Sequence, residues 1–316
     1  MMLNFSKPRR RIVLSHSRMS TFYHCQNAYR FAHIFPQIDY QQEERGVTNF
    51  PMDVGSAIHV AIQSYLEHRD YNRAVFELWN HYPFALYERG VKDGGRTIFA
   101  AISAFEAWID SGIPYAYELV EVNGKASAEL VGEIELGSIE GKTEIYDFVY
   151  QCHIDAIVRR HTDGEIMPID IKTYAGLNKI ERYDYSTQLI PYTLVSNMIL
   201  EKATPLQFEA EYWFLDVSLT NAEVTTKPVR KDQTDFKFWV MTTQQVMQQI
   251  AANLDADRWP RNCNHCYQFG EYCPWVNDCW SGQSSVELEE WYTAMAEGHP
   301  TRNGKKPDFA FRMPIV

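Results

Sequence analysis

The sequence predicts one α/β domain, with a β-sheet in the middle of the chain and helices towards both ends. Three observations carry that prediction. Apolar residues recur at helical spacing over much of residues 15–111 and again over 236–254. Between residues 117 and 174 the pattern changes to β-prone runs separated by short polar turns. No internal repeat, low-complexity tract or clear linker interrupts the 316 residues, a length that supplies one large core or two ordinary ones.

Residues 15–35, SHSRMSTFYHCQNAYRFAHIF, read as a helix entered through Ser15 or Ser17, with Phe22, Tyr29 and Phe31 on its buried side and Pro36 as its stop. A polar loop over 37–50 leads to PMDVGSAIHVAIQSYLEH, where Ile58, Ile62, Tyr65 and Leu66 make one helical face. Two further helical stretches lie near 72–90 and 96–111. YELVEV, SAELVGEIEL, FVYQCHIDAIVRR and GEIMPIDIKTY follow as four β-rich segments. The helix expected from about Asp184 to Lys202 tolerates Pro191, which disturbs only its first turns. LQFEAEYWFLDVSL is another strand, Phe236–Leu254 an amphipathic helix, and Val286–Glu297 a short helix before a polar tail. The chain thus divides into a helical region over about 15–114, a core over 115–220, a C-terminal helix with a cysteine-rich turn over 221–280, and a short helix and tail over 281–316.

At 45% hydrophobic and 22% charged residues the composition is that of a globular chain and excludes a disordered one. No apolar run approaches the roughly 18 residues of a membrane span, and no apolar stretch follows MMLNFSKPRRR as a secretory signal requires. A soluble, cytoplasmic protein without a membrane partner is expected. The net charge of −11 argues mildly against nonspecific binding to nucleic acid, although a local groove outweighs the sum. The basic clusters at Lys7–Arg11, at Arg159 with Arg160, and at Lys227 to Lys231 read as solvated surface. Cys25 and Cys152 stand alone, whereas Cys263, Cys266, Cys273 and Cys279 crowd into 17 residues. In a reducing compartment such a cluster is more often a metal or Fe–S site than a disulfide framework. Cys152, inside a strand, reads as a buried structural thiol.

The run MPIDIKTYAG, residues 167–176, carries the chemistry. Ile169 and Ile171 alternate with Asp170 and Lys172, the period of a strand with one buried face. Upstream, Asp163-Gly164 is a hairpin signal. A two-residue loop there sets Asp155 opposite Lys172, and a four-residue loop, His161–Gly164, sets Asp155 opposite Asp170. Both registers place Asp155, Asp170 and Lys172 on one face, and only an odd loop separates them. Two carboxylates from neighbouring strands can hold Mg²⁺ through oxygen. The metal lowers the pKa of a bound water, and a lysine can orient that water or stabilise developing charge. The competing reading is a cross-strand ion pair on a solvated face.

Asp155, followed fifteen residues later by DIKT, resembles the core of the PD-(D/E)XK nuclease superfamily, in its RecB-like exonuclease branch. GSAIH (Gly55–His59) resembles the G-x-x-x-H motif of an early helix, ELVEV the strand carrying a glutamate ahead of the first aspartate, and QLIPY the Q-x-x-x-Y motif. The resemblance runs from about Ser15 to Cys279. It implies a restriction-endonuclease-like core, a central mixed β-sheet flanked by helices. It also implies Mg²⁺ or Mn²⁺ held by His59, Asp155 and Asp170, with Lys172 acting on the water. Glu121, with Glu118 second, is the implied glutamate. Gln188 and Tyr192, one helical turn apart, would contact DNA or brace the site. Taken singly, His59 reads as a core histidine, Glu121 as a surface carboxylate, and Gln188 with Tyr192 as a packing pair.

The same resemblance implies a [4Fe–4S] cluster held by one early and three late cysteines, here Cys25 with Cys266, Cys273 and Cys279. CPWVNDC matches the final pair, but position 270 is Gly, which departs from the commonest spacing and leaves Cys263 as an alternative third ligand. His265 keeps zinc open as the alternative metal. Such a cluster would tie the helical N- and C-terminal regions together. The implied activity is a metal-dependent deoxyribonuclease, an exonuclease acting on single strands or DNA ends in recombination, repair or replication. The alternative is a non-catalytic DNA-binding or adaptor module with a structural Fe–S or zinc site. No G-x-x-x-x-G-K-[ST] loop is present in the sequence, so unwinding would come from a helicase or recombination partner. Tyr183, Tyr185 and Trp213 are the rings available for base stacking.

Overall fold

Arginines open the first strand, β1 (Arg9–Leu14), in a run that the sequence marks as solvated. The computed structural model describes residues 7–35, 50–84, 96–174, 180–201, 207–218, 222–268, 271–281 and 309–312. Ser15 caps α1 (His16–His24), its hydroxyl accepting the Arg18 N–H. The single helix expected over 15–35 is broken at Cys25, whose φ of −160° is extended. The chain then resumes as α2 (Gln26–Tyr29) and a π turn over Arg30–Ile34. Next come α3 (Phe50–His68), α4 (Tyr71–His81, capped by Asp70), α5 (Ile98–Asp110, capped by Thr97) and the short α6 (Ile113–Ala116).

Strands β2 (Tyr117–Leu119), β3 (Glu121–Val122), β4 (Lys125–Ala126), β5 (Ala128–Glu140), β6 (Ile145–Arg160) and β7 (Ile166–Tyr174) follow. A 3-10 turn over Glu181–Tyr185 precedes α7 (Leu189–Ile199), so the helix begins several residues later than expected and Pro191 sits harmlessly in its first turn. After β8 (Gln207–Asp216), β9 (Val224–Asp232) and α8 (Gln233–Ala256) come a 3-10 turn (Cys263–His265), β10 (Tyr267–Gln268), β11 (Glu271–Tyr272), α9 (Val276–Trp280) and β12 (Phe309–Arg312). The helix expected over 286–297 lies outside the described residues, as does the end of the stretch expected over 72–90.

The chain forms two compact units, one of Met1–Thr48, Glu133–Gln151 and Val240–Val316, the other of Asn49–Gly132 and Cys152–Trp239. In the second unit β6 runs antiparallel to β7, β7 parallel to β8, and β8 antiparallel to β9, while β2 pairs with β6. The sheet is therefore mixed. Ile169, Ile171, Trp213 and Leu215 face a core built with Ile58, Ile62, Phe105 and Trp108 of α3 and α5, and α7 packs against β7 and β8. Strand β9 escapes the sequence reading because it is a polar edge. Pro228 lies within it, where an edge strand tolerates a missing donor.

In the first unit β1 lies parallel to the start of β6, Arg9 beside Ile145 through Leu14 beside Tyr150. Lys7, just before it, pairs with Glu140 at 2.7 Å, Arg9 pairs with Asp147 and Arg11 with Glu133, while Arg10 donates to Ile34 O at 3.2 Å. Asp255 of α8 accepts a hydrogen bond from Tyr146 Oη at 2.8 Å, and Arg30 pairs with Asp257 at 2.8 Å. The other basic clusters are also matched, Arg159 to Glu118, Lys227 to Asp184 and Arg230 to Glu209.

Candidate active site

Gly164, at φ +75°, closes the hairpin between β6 and β7, a left-handed conformation that a Cβ would disfavour. Arg160 N–H donates to Glu165 O at 2.8 Å across a four-residue loop. The ladder pairs Ala156 with Ile169, so one step further Asp155 stands across from Asp170. This is the second of the two registers the sequence allows. Where the ladder ends, Asp155 Oδ2 takes the backbone N–H of Ile171 at 2.6 Å. Alternation on β7 sends Ile169 and Ile171 into the core and leaves Asp170 and Lys172 together on the other face, Nζ to Oδ2 at 2.6 Å.

Helix α3 brings a histidine to this point through a close approach. A Cβ on Gly55 would lie 2.8 Å from Thr173 Oγ1, so glycine lets the helix sit this near β7 with the threonine hydroxyl where it is. One turn later His59 Nδ1 lies 3.6 Å from Asp155 Oδ1. Glu129 completes the group: ligand atoms of His59, Glu129 and Asp155 all lie within 4.8 Å of one another. Glu129 has φ +51° at the start of β5, a conformation non-glycine residues rarely adopt and one that concentrates at functional sites.

That glutamate differs from the expected one. Glu121 sits exposed in the two-stranded β3–β4 hairpin opposite Ala126, and Glu118 is exposed and paired with Arg159 at 3.1 Å. The chain turns aside at β3 and β4 before entering the long strand, so the acid that reaches His59 and Asp155 comes one β-run later than the motif order suggests. The available signal was in SAELVGEIEL, where Glu129 stands at the mouth of an otherwise apolar run.

Gln188 and Tyr192 meet Asp170 from α7. Gln188 Nε2 donates to Asp170 Oδ1 at 2.9 Å and to Tyr192 Oη at 3.2 Å. Burial pushes the Asp170 carboxyl up to about 6; Lys172 opposes the shift and the Asp155 charge adds to it. Burial would lower Lys172, but Asp170 and Asp155 outweigh it and hold the ammonium raised. Asp155 shows the reverse balance, where burial is overcome by His59, Lys172 and the Ile171 N–H, and its carboxyl is lowered. Burial would also lower His59, yet Asp155 and Glu129 raise it. Burial holds the Tyr192 phenol protonated.

An imidazole nitrogen and carboxylate oxygens converging in this way suit a hard divalent ion such as Mg²⁺ or Mn²⁺. Asp170 Oδ2 adds a buried acceptor with no well-aligned hydrogen bond, its contact with Lys172 being an ion pair only. Trp213 does not belong to the site's surface: it is fully buried, with its indole N–H on Glu211 at 3.2 Å, and offers no face for stacking.

The cysteines gather in the first unit. Cys25, Cys266, Cys273 and Cys279 line one cavity of about 280 Å³ together with His24 and His265, whereas Cys263 is exposed and does not line it. The extended break at Cys25 turns that residue out of the helix, and the Asn262 N–H donates to its Sγ at 3.4 Å. Asn27 Nδ2 donates to Cys279 Sγ at 3.1 Å. Burial raises the Cys273 and Cys279 thiols, and the neighbouring cysteines add to the rise. Crowded thiols of this kind are what a bound metal relieves, because thiolates are its ligands. Cys152 is buried apart from them, its thiol on Gly132 O at 3.7 Å and pushed up to about 12 by burial.

None of the curated proteins matches the chain. A solved structure titled "Crystal structure of SSO0001" aligns with 12% identity over 73% of this chain and 86% of that one, at a TM-score of 0.29. The family model of the PD-(D/E)XK nuclease superfamily matches residues 13–279, a span that contains His59, Glu129, Asp155, Asp170, Lys172 and all six cysteines. The chain belongs to the PD-(D/E)XK nuclease superfamily.

Proposed function

We propose that this chain is a Mg²⁺- or Mn²⁺-dependent deoxyribonuclease, acting as an exonuclease on single strands or DNA ends during recombination, repair or replication. The observation that supports it most is the convergence of His59, Glu129 and Asp155 within 4.8 Å beside the Asp170–Lys172 pair. His59, Asp155 and Asp170, joined by Glu129, would hold the metal, which when bound lowers the pKa of a water and neutralises phosphoryl charge. Lys172, kept protonated by Asp170 and Asp155, orients that water and stabilises charge developing on the phosphate. Gln188 fixes the Asp170 carboxylate by donating to one of its oxygens, and Tyr192 fixes Gln188. Such outer hydrogen bonds set the direction in which a ligand's lone pair points.

The second unit of chemistry is structural. Cys25, Cys266, Cys273 and Cys279 would hold a [4Fe–4S] cluster, their side chains lining one cavity with His24 and His265. Bound there, the cluster would tie α1 to the turn before α9 and contribute folding free energy, as structural metals do. Unwinding of duplex ends would come from a helicase or recombination partner.

The test uses the purified full chain with end-labelled linear and circular DNA, single- and double-stranded, in Mg²⁺, Mn²⁺ or EDTA. Metal-dependent release of short products from linear single strands, lost in Asp155→Asn, is the expected result. Cleavage indifferent to EDTA, or unchanged in Asp155→Asn, refutes the proposal. Attack on circles at the same rate refutes the exonuclease part alone.

A further inference from the structure

Three residues before Gln188, the 3-10 turn over Glu181–Tyr185 presents the ring of Tyr185 to solvent. At 88% exposure it is the most exposed large hydrophobic side chain among the described residues, and no other ring lies against it there. A single exposed ring is ordinary on a protein surface. What sets this one apart is how firmly its support is built.

The turn is held from three directions. Beneath it, the Tyr183 ring packs on Tyr212 at 4.9 Å and on Phe214 at 5.1 Å, both on β8. From β9, Lys227 pairs with Asp184 at 2.6 Å and Lys231 donates to Asp184 O at 2.9 Å. On the side of α7, Ser186 Oγ accepts the Gln188 N–H at 3.2 Å and lies 3.2 Å from Tyr212 Oη. A segment fastened in this way holds the Tyr185 backbone in place, so less chain entropy is lost when something stacks on the ring.

Arg182 supplies the charge. Its guanidinium lies 4.8 Å from the Tyr183 ring centroid and donates one hydrogen bond to Tyr183 Oη at 2.8 Å. No carboxylate lies within ion-pairing distance of it among the described residues, and the side chain is exposed. A cation and an open ring three residues apart on one fastened turn, on a chain whose net charge is −11, are a local match for a phosphate and a base.

We infer that the turn over Glu181–Tyr185 is a seat for single-stranded nucleic acid, with Tyr185 stacking on an unpaired base and Arg182 meeting the adjoining phosphate. This deepens the nuclease reading and rests on it. Three residues of chain reach at most about 11 Å. Gln188 holds Asp170, so the backbone of the seat lies close to the candidate active site. An unpaired base is required, because a base inside a duplex already has both faces covered.

The full chain is tested by fluorescence anisotropy with labelled oligo(dT) in Ca²⁺, to limit turnover, and then by steady-state cleavage in Mn²⁺. Tyr185→Ala should weaken oligo(dT) binding by roughly tenfold, the scale of one base–aromatic stack, and raise KM more than it changes kcat. Tyr185→Phe should restore both, since stacking needs the ring and not the hydroxyl. An oligonucleotide carrying an abasic site at the seated position should bind wild type and Tyr185→Ala alike. An active wild type whose Tyr185→Ala variant binds oligo(dT) equally well overturns the seat and leaves the nuclease reading standing. A loss of equal size on the abasic strand also overturns the seat. A wild type that neither binds nor cleaves DNA overturns both.

Discussion

Asp170 and Lys172 are two residues apart on one strand, a buried carboxylate paired with a half-buried ammonium at 2.6 Å. Removing one partner leaves the other uncompensated, which costs far more than a surface pair would. Lys172→Ala should therefore lower the melting temperature, and it should lower cleavage by about 10²–10³-fold, the scale of a lost charge-stabilising group. Gln188→Ala should cost about 10–100-fold in Mn²⁺ affinity or activity, because it frees the Asp170 carboxylate to rotate. Titration of metal against the Mn²⁺ signal, alongside the cleavage assay, separates the two effects.

The raised carboxyl of Asp170 also makes a pH prediction. Its folded value is about 6, against roughly 3.9 for an unfolded aspartate. The metal-free folded chain binds this proton more readily than the unfolded chain, so the associated stability is present at low pH. It is lost as pH rises from ~4 through ~6. Asp170→Asn should remove that loss, and thermal melts of both proteins in EDTA across this window measure it. Equal pH dependence in the two would show that Asp170 titrates normally.

At the scale of elements, Gly55 couples α3 to β7. Gly55→Ala places a methyl 2.8 Å from Thr173 Oγ1, so either the Thr173 side chain turns away or the helix shifts and carries His59 with it. Activity and Mn²⁺ affinity should fall, with only a small change in melting temperature. Adding Thr173→Ala removes the clashing oxygen and should recover much of the loss, which a merely destabilised helix would not show.

The break between α1 and α2 is a second element-scale device, turning Cys25 towards Cys266, Cys273 and Cys279. Anaerobically purified chain should be brown with about four irons per molecule. Cys25→Ser and Cys266→Ser should each lose the iron, whereas Cys263→Ser and Cys152→Ser should keep it, because neither thiol lines the cavity. Iron analysis of the four variants decides between Cys266 and Cys263. A colourless protein with one zinc would replace the cluster but keep the tie.

At the scale of the whole molecule, each of the two units is assembled from separate stretches of chain, with boundaries that fall inside β5, β6 and α8. That is why no linker or shift of composition marks them: a strand crossing from one unit to the next reads as one strand. If the cysteines bind metal, removing it should release α1 and α9 first. Hydrogen exchange on the chelated chain should show faster exchange there, while β7 and β8 stay protected.

What the sequence determined by itself were properties with a short period. The two-residue repeat of a strand put Asp170 and Lys172 on one face, and either even loop at Asp163-Gly164 would put Asp155 there too. The helical turn put Gln188 beside Tyr192, and Gly55 one turn before His59. These follow from local geometry alone. Tertiary structure decided the matters that depend on partners distant in the chain. It chose the register that faces Asp155 with Asp170, and it brought Glu129 to His59 in place of Glu121. It made strands of the basic run Arg9–Leu14 and the polar run Val224–Asp232, because carboxylates and an existing sheet edge were waiting for them. A strand's face is written in its own residues, but its neighbour is written elsewhere in the chain, so pairing and charge compensation become visible only once the sheet has formed.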